Sequence, residues 1–280
     1  MTVVTATSLD DAIGALAADP LAHVLAGGTD FMVEVSFAHR RPASIVTLRR
    51  VDELKGWRRD GDTLVIGAGM TYAELEGDPF LALVPGLAQA ARTVGSPQIR
   101  NAGTIGGNIA TGSPAGDTLP VLAALDAEIV LQSAAGGERR VPWNEFFLAP
   151  KRTARRGDEL VTAVRVPVVD GRQEYLKVGT RNAMVISVAG VAVVTDNGAH
   201  TVSVGLGSVG PVPLRAPDAE AFASSAIDWS AMTLSADDAV HFGSLVSAAA
   251  RPIDDQRSTA DYRRHAVGVC ARRALLRCLS

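Results

Sequence analysis

A pair of glycine-rich segments constrains this chain more than any other feature. The first, Leu25-Ala-Gly-Gly-Thr-Asp30, follows a short apolar run and precedes a helical pattern. The second, Asn101–Asp117, reads NAGTIGGNIATGSPAGD and contains five glycines. Glycine permits tight turns and lets the backbone come very close to another group. Each segment is therefore a tight turn, a linker, or a loop whose unpaired backbone N–H groups bind an anion such as a phosphate.

The usual nucleotide-binding signatures are absent from the sequence. Gly67-Ala-Gly69 lacks the third glycine of G-x-G-x-x-G because Tyr72 occupies that position, and no G-x-x-x-x-G-K occurs. A plain Rossmann domain or P-loop is therefore disfavoured. Two loops of similar composition could instead hold a pyrophosphate from two sides. Backbone dipoles would then neutralise the charge of the pyrophosphate, because Arg100 is the only basic residue beside the two loops.

Two further polar residues have both a binding and a structural interpretation. Lys177, in a predicted strand, is either a cation that reaches a bound cofactor or a solvated strand residue. Asp117 either accepts hydrogen bonds from sugar or ribityl hydroxyls or caps a helix. Asn108 offers both a donor and an acceptor at the end of the Gly106-Gly107 pair.

Composition excludes several functional classes. The 280 residues are 47% hydrophobic and 20% charged with a net charge of -3, which is ordinary for a globular protein and gives no basic surplus for nucleic acid. No apolar run approaches a membrane span, and the N-terminus lacks the early basic residues of a signal peptide, so we expect a cytoplasmic protein. Cys270 and Cys278 lie roughly 12 Å apart along a predicted helix. They are too few for an iron–sulfur cluster and too distant for a disulfide, so core packing is expected.

The pattern along the chain predicts three parts, at residues 1–55, 56–170 and 171–280. Strand, helix and strand in the first part predict a small parallel α/β unit. The middle part reads as α+β, with a Thr71–Glu74 capping box. The last part reads as three strands, with an Asp196-Asn197-Gly198 turn, followed by two helices over about 236–250 and 258–279.

These motifs resemble the medium subunit of the molybdenum hydroxylases, the family of xanthine, carbon monoxide and nicotine dehydrogenases. The similarity is carried by Ala26-Gly-Gly-Thr-Asp30, by Thr104-Ile-Gly-Gly-Asn108 with Ala110–Asp117 after it, and by Ser258–Arg264. The resemblance implies an α+β fold of two FAD-binding subdomains of the vanillyl-alcohol oxidase type. It also implies a C-terminal flavoprotein domain with a three-stranded sheet and helices.

The resemblance also implies a set of FAD contacts and no catalytic or metal-binding residue in this chain. Transferred by position, the contacts are Val24, Leu25, Ala26, Gly27, Gly28, Thr29, Asp30, Phe31, Val94, Thr104, Ile105, Gly106, Gly107, Asn108, Asp117, Val161 and Lys177. Some relatives carry His-Ser where this chain has Thr29-Asp30. Because the first segment holds no His or Cys, noncovalent FAD is expected.

The function implied is an electron-transfer step in a larger enzyme. In the family, a large subunit holds the molybdenum cofactor and a small subunit holds [2Fe-2S] clusters, and the expected assembly is a dimer of heterotrimers. FAD in this chain would pass electrons from the clusters to an external acceptor. The alternative is a self-contained FAD-dependent oxidase or dehydrogenase of the vanillyl-alcohol oxidase type. A third possibility is an assembly protein that has lost FAD, which the intact glycines disfavour.

Overall fold

Three main sheets organise the chain, and the computed structural model describes every residue from Met1 to Ser280. The elements of the first sheet are β1 (Thr2–Thr5), α1 (Leu9–Ala18), β2 (His23–Leu25), α2 (Phe31–Ser36) and β3 (Ser44–Thr47). The strands are parallel in the order β1-β3-β2, which confirms the predicted α/β unit. Ser8 caps α1 by accepting a hydrogen bond from the Asp11 backbone N–H at 3.1 Å. Strand β1 was not predicted, because four exposed residues at a chain end carry no alternation.

An antiparallel five-stranded sheet forms the middle of the chain. Its strands are β4 (Trp57–Asp60), β5 (Thr63–Gly67), β6 (Glu128–Ser133), β7 (Gly137–Pro142) and β10 (Leu160–Pro167), with a separate pair β8 (Phe147–Ala149) and β9 (Arg152–Thr153). Its helices are α3 (Tyr72–Leu75), α4 (Phe80–Leu83), α5 (Pro85–Thr93), α6 (Pro97–Ala102), α7 (Ile105–Thr111), α8 (Leu119–Ala124) and α9 (Trp143–Phe146). The strand order is β4-β5-β10-β6-β7. The capping box is present, since the Thr71 N–H donates to Glu74 Oε2 at 2.7 Å while Thr71 Oγ1 accepts from the Glu74 N–H.

An antiparallel sheet with three helices completes the chain. Its elements are β11 (Gln173–Val178), β12 (Ala189–Asp196), β13 (Thr201–Gly207), β14 (Leu214–Arg215), α10 (Pro217–Ala226), α11 (Ala236–Ala249) and α12 (Ala260–Cys278). The three expected strands are present, and the two-residue β14 adds a short fourth one. The predicted turn joins β12 to β13, where Asp196 Oδ1 accepts from the Gly198 N–H at 2.9 Å. Cys270 and Cys278 are free and buried in the core between this sheet and its helices.

The hydrophobic cores follow the three sheets. One core lies between α1 and the first sheet and also includes Leu160 of the middle sheet. The largest core fills the middle part and includes the fully buried Phe146 and Ile105. Each such side chain stabilises the fold by about 1.5–3 kcal/mol. No helix combines the length and apolar character needed to cross a membrane.

Candidate functional site: a cavity lined by both glycine segments

A cavity of about 1120 Å³ lies between the N-terminal and middle parts. It exceeds the roughly 300–1,000 Å³ that is usual for small-molecule sites. Every residue of the first segment from Val24 to Phe31 lines it, together with Thr104, Gly106, Gly107 and Asn108 of the second. The fold therefore brings the two segments, more than seventy residues apart in sequence, to one site large enough for a dinucleotide.

The first segment presents a row of free backbone donors. None of the six N–H groups from Ala26 to Phe31 donates a hydrogen bond within the protein. Gly28 has a φ of 73°, which a residue with a Cβ rarely adopts, so the turn of this segment requires glycine. Consecutive unpaired backbone donors of this kind form an anion site. The arrangement fits the diphosphate of FAD without any basic side chain in the segment.

Gly27 is required for contact between the segments. A Cβ on Gly27 would lie 1.8 Å from the Ala102 carbonyl oxygen, which is far inside van der Waals contact. Gly106 has a similar constraint, because its Cβ would lie 2.4 Å from the Cβ of Ala68. Two of the glycines that look like ligand-facing residues in the sequence therefore let backbone pack on backbone. Gly107 differs, since only Thr104 Oγ1 lies near its Cβ position, at 3.1 Å.

The second segment is helical, although its composition reads as a loop. Thr104 caps α7, and its Oγ1 accepts from the Gly107 N–H at 3.0 Å. The N–H groups of Ile105 and Gly106 donate to the carbonyls of Met70 and Ala68, both at 2.9 Å. Because these donors already have partners, the two segments are not equivalent, and the free donors belong to the first.

Asp117 and Lys177 form a buried ion pair outside the cavity lining. Lys177 Nζ lies 2.6 Å from Asp117 Oδ2 and also donates to the Thr93 carbonyl at 3.0 Å. The Tyr175 hydroxyl donates to the other Asp117 oxygen at 3.0 Å. Burial raises the pKa of Asp117, and the neighbouring Lys177 ammonium opposes that shift. Asp117 follows Gly116, which does line the cavity, so the pair lies directly behind its wall.

The remaining predicted contacts divide between the cavity and the core. Val161, on β10, is buried and lines the cavity. Asn108 lines it too, and its Oδ1 accepts from the Thr118 hydroxyl at 2.6 Å. Val94 and Ile105 pack in the middle core and do not line the cavity. Arg100 pairs with Glu76 at 2.5 Å and is not part of the lining.

Two lining residues, Tyr72 and Arg155, were not identified from the sequence. Tyr72 was noted only as a departure from a glycine motif, and it lies in the cavity wall with 5% of its surface exposed. Arg155 is half-buried, and its Nη1 donates to the Glu159 carbonyl at 2.6 Å without a carboxylate partner. Burial lowers its pKa, although nearby Glu159 and Asp158 oppose that effect. Neither residue belongs to a local motif, because both reach the cavity through long-range packing.

The segment that carries Arg155 is held by a buried carboxylate, and this makes the fold sensitive to acid. Glu159 is 1% exposed, and its oxygens accept from Arg139 at 2.6 Å and from Arg156 at 2.8 Å. Burial raises the pKa of Glu159, but the hydrogen bonds from Arg139 and Arg156 outweigh it and lower the pKa to about 2 from an ordinary 4.5. A depressed folded pKa stabilises the protein above about pH 4.5 and ceases to do so as pH falls towards 2.

We therefore expect the free energy of unfolding, measured by urea titration, to fall between pH 5 and pH 3, and to fall less in Glu159→Gln. Glu138→Gln, at an exposed partner of Arg140, is the matched control and should keep the wild-type profile. Equal pH slopes for wild type and Glu159→Gln would contradict this account.

Comparisons with known proteins identify the family to which the chain belongs. Residues 1–169 match the family described as FAD binding domain in molybdopterin dehydrogenase. Residues 174–278 match the CO dehydrogenase flavoprotein C-terminal domain. The chain belongs to this family. The predicted family, the fold class and the assignment to FAD-dependent oxidoreductases are thereby confirmed, whereas the individual FAD contacts stay predictions.

Similar proteins share most of the length of this FAD-binding chain. The carbon monoxide dehydrogenase medium chain of Hydrogenophaga pseudoflava is 34% identical over 272 residues, covering 94% of this chain and 90% of that one. The nicotinate dehydrogenase FAD-subunit of Eubacterium barkeri is 37% identical over 207 residues, 70% of each chain. The structure of reconstituted CO dehydrogenase from Oligotropha carboxidovorans superposes with a TM-score of 0.90 at 30% identity, covering 100% of this chain and 97% of that one.

Proposed function

We propose that this chain is the FAD-carrying electron-transfer subunit of a heteromeric molybdenum hydroxylase. Its partners are a large subunit with the molybdenum cofactor and a small subunit with [2Fe-2S] clusters, assembled as a dimer of heterotrimers. Electrons reach this chain from the clusters and leave to an external acceptor. The observation that carries the proposal is the large cavity lined by both glycine segments, in which the first segment has six unpaired backbone N–H groups.

The chain's own residues hold and enclose the cofactor. FAD supplies a flavin that accepts and donates electrons. The unpaired N–H groups from Ala26 to Phe31 would bind the diphosphate, and Gly107, in the first turn of α7, would line the other side of the site. The Asp117–Lys177 pair lies behind the cavity wall at Gly116 and would support that wall around the bound cofactor. Because no residue of the first segment can attach a flavin through His or Cys, we propose that FAD is noncovalent.

The chain itself supplies neither metal ligands nor a disulfide. No group of three or more His, Cys, Asp or Glu side chains is placed to hold a metal ion, and the two cysteines are buried and free. Metal-dependent steps therefore belong to the partner subunits in this proposal. We propose a cytoplasmic location for the subunit.

Removal of FAD tests the electron-transfer role. In the complex purified with its partner subunits, we expect FAD to be released by mild acid, leaving clusters that the hydroxylase substrate still reduces. Transfer to the external acceptor should be lost and should return when FAD is added. Cluster reoxidation that does not need FAD would contradict the role. A yellow chain that oxidises an organic substrate without partners would support the self-contained oxidase instead.

A further inference from the structure

Tyr72 lies in the cavity wall, and its hydroxyl has no hydrogen-bond partner in the protein. Its side chain is 5% exposed and lines the cavity, yet its hydroxyl forms no hydrogen bond to any protein group. The comparably buried Tyr175 hydroxyl donates to Asp117 at 3.0 Å. The hydroxyl oxygen keeps accessible surface where the residue lines the cavity, so it is open to a hydrogen-bond partner that enters the cavity from outside the chain.

Packing fixes the Tyr72 ring beside the second glycine segment. Tyr72 is the first residue of α3, and its backbone N–H donates to the Gly103 carbonyl at 3.1 Å. A Cβ on Gly103 would lie 2.7 Å from Tyr72 Cε2, so the ring lies directly on that glycine. The Thr71–Glu74 capping box holds the start of the helix. The hydroxyl is therefore positioned before any ligand binds.

The charges around the ring keep the phenol protonated. Burial raises the pKa of Tyr72, and the negative charges of Asp117 and Asp30 add to that shift. Asp30 ends the first glycine segment and also lines the cavity. Burial and the negative charges of Asp30 and Asp117, one from each glycine segment, thus keep the Tyr72 hydroxyl neutral, so that it can donate a hydrogen bond.

We propose that the Tyr72 hydroxyl donates a hydrogen bond to an oxygen of the diphosphate–ribityl portion of FAD and so positions the cofactor between the two segments. This inference rests on the proposed function, because it needs FAD in this cavity. The acceptor oxygen belongs either to the diphosphate or to a ribityl hydroxyl. Both are oxygen acceptors of the kind that a neutral phenol binds without adding charge.

Tyr72→Phe tests the proposal, because it keeps the ring and removes only the hydroxyl. We expect the Kd for FAD, measured on the full chain stripped of FAD by quenching of flavin fluorescence, to rise about threefold to tenfold. The thermal midpoint of the FAD-free chain should not fall, since the hydroxyl has no protein partner to lose. Competition with ADP identifies the acceptor: a weaker Kd for ADP in the variant indicates the diphosphate, and an unchanged one indicates the ribityl chain.

Tyr175→Phe is the matched control for the stability measurement. It removes a hydrogen bond to Asp117 that exists within the protein, so it should lower the midpoint of the FAD-free chain. An unchanged FAD affinity in Tyr72→Phe would overturn the inference, and so would a fall in midpoint as large as that of Tyr175→Phe. Failure of the wild-type chain to bind FAD would overturn the proposed function itself.

Discussion

Gly27→Ala is expected to abolish tight FAD binding. Its Cβ would lie 1.8 Å from the Ala102 carbonyl oxygen, so the two glycine segments would have to separate. Both partners are backbone, which leaves no flexible side chain to move aside. Overpacking of this severity costs about 3 kcal/mol or more. We expect FAD content at purification to fall about tenfold or more, since each 1.4 kcal/mol is a factor of about ten in an equilibrium constant.

Gly14→Ala is the matched control for that substitution. Gly14 lies inside α1 with no atom within 4 Å of its Cβ position. Alanine there should stabilise the helix by about 0.5–1 kcal/mol and leave FAD content unchanged. Full FAD occupancy in Gly27→Ala, with flavin spectra identical to wild type, would show that the close contact between the segments is not needed.

Lys177→Met is expected to lower the free energy of unfolding by about 3–5 kcal/mol, because it leaves a buried carboxylate without its counterion. The side chains of Lys177 and Asp117 are only 8% and 7% exposed. Loss of the ammonium would further raise the already raised pKa of Asp117, so the folded variant would take up a proton. Because a raised folded pKa favours folding only at low pH, the variant should lose more stability at pH 8 than at pH 5.

A second substitution separates the buried charge from simple loss of packing. Adding Asp117→Asn to Lys177→Met removes the unpaired charge and should recover part of the lost stability. Arg264→Met, at an exposed pair with Asp261, should change the urea midpoint little. Equal stabilities of the single and double variants across this pH range would rule out an unpaired Asp117 as the cause.

The first glycine segment could be predicted from local sequence because a strand precedes it directly and a helix follows it directly. The apolar run before it forms β2, and the pattern after it forms α2, so the chain must turn between them. Its position at the cavity and its lack of internal hydrogen bonds follow from that placement at the end of a parallel strand. The inference that its backbone faces a ligand depended on this strand–turn–helix context.

The second segment was harder to interpret because its glycines obscured helix signals that are present. Ser96 caps α6 with Pro97 at its first position, and Thr104 caps α7. Glycine lowers helix propensity, so composition alone predicts a loop. Glycine is nevertheless required at position 106, because Gly106 packs closely against Ala68, a residue far away in sequence.

Long-range packing also explains what sequence reasoning missed. Tyr72 reaches the cavity because Gly103 leaves room for its ring. The two residues are far apart in the sequence, and no local pattern around either one predicts that they are in contact. Strand β7 pairs with β6, although its sequence shows little apolar alternation and most of its residues are exposed. The Asp117–Lys177 pair joins residues that were predicted separately, Asp117 as an acceptor for sugar or ribityl hydroxyls and Lys177 as a cation that reaches the cofactor.

A structure of the complex with FAD bound tests the central claim most directly. The claim predicts diphosphate oxygens within hydrogen-bond distance of the N–H groups of Ala26–Phe31, with Gly107, in the first turn of α7, on the opposite side. It also predicts that the N–H groups of Ile105 and Gly106 keep their bonds to Met70 and Ala68. A diphosphate bound on another loop, with the first segment facing solvent or protein, would contradict it.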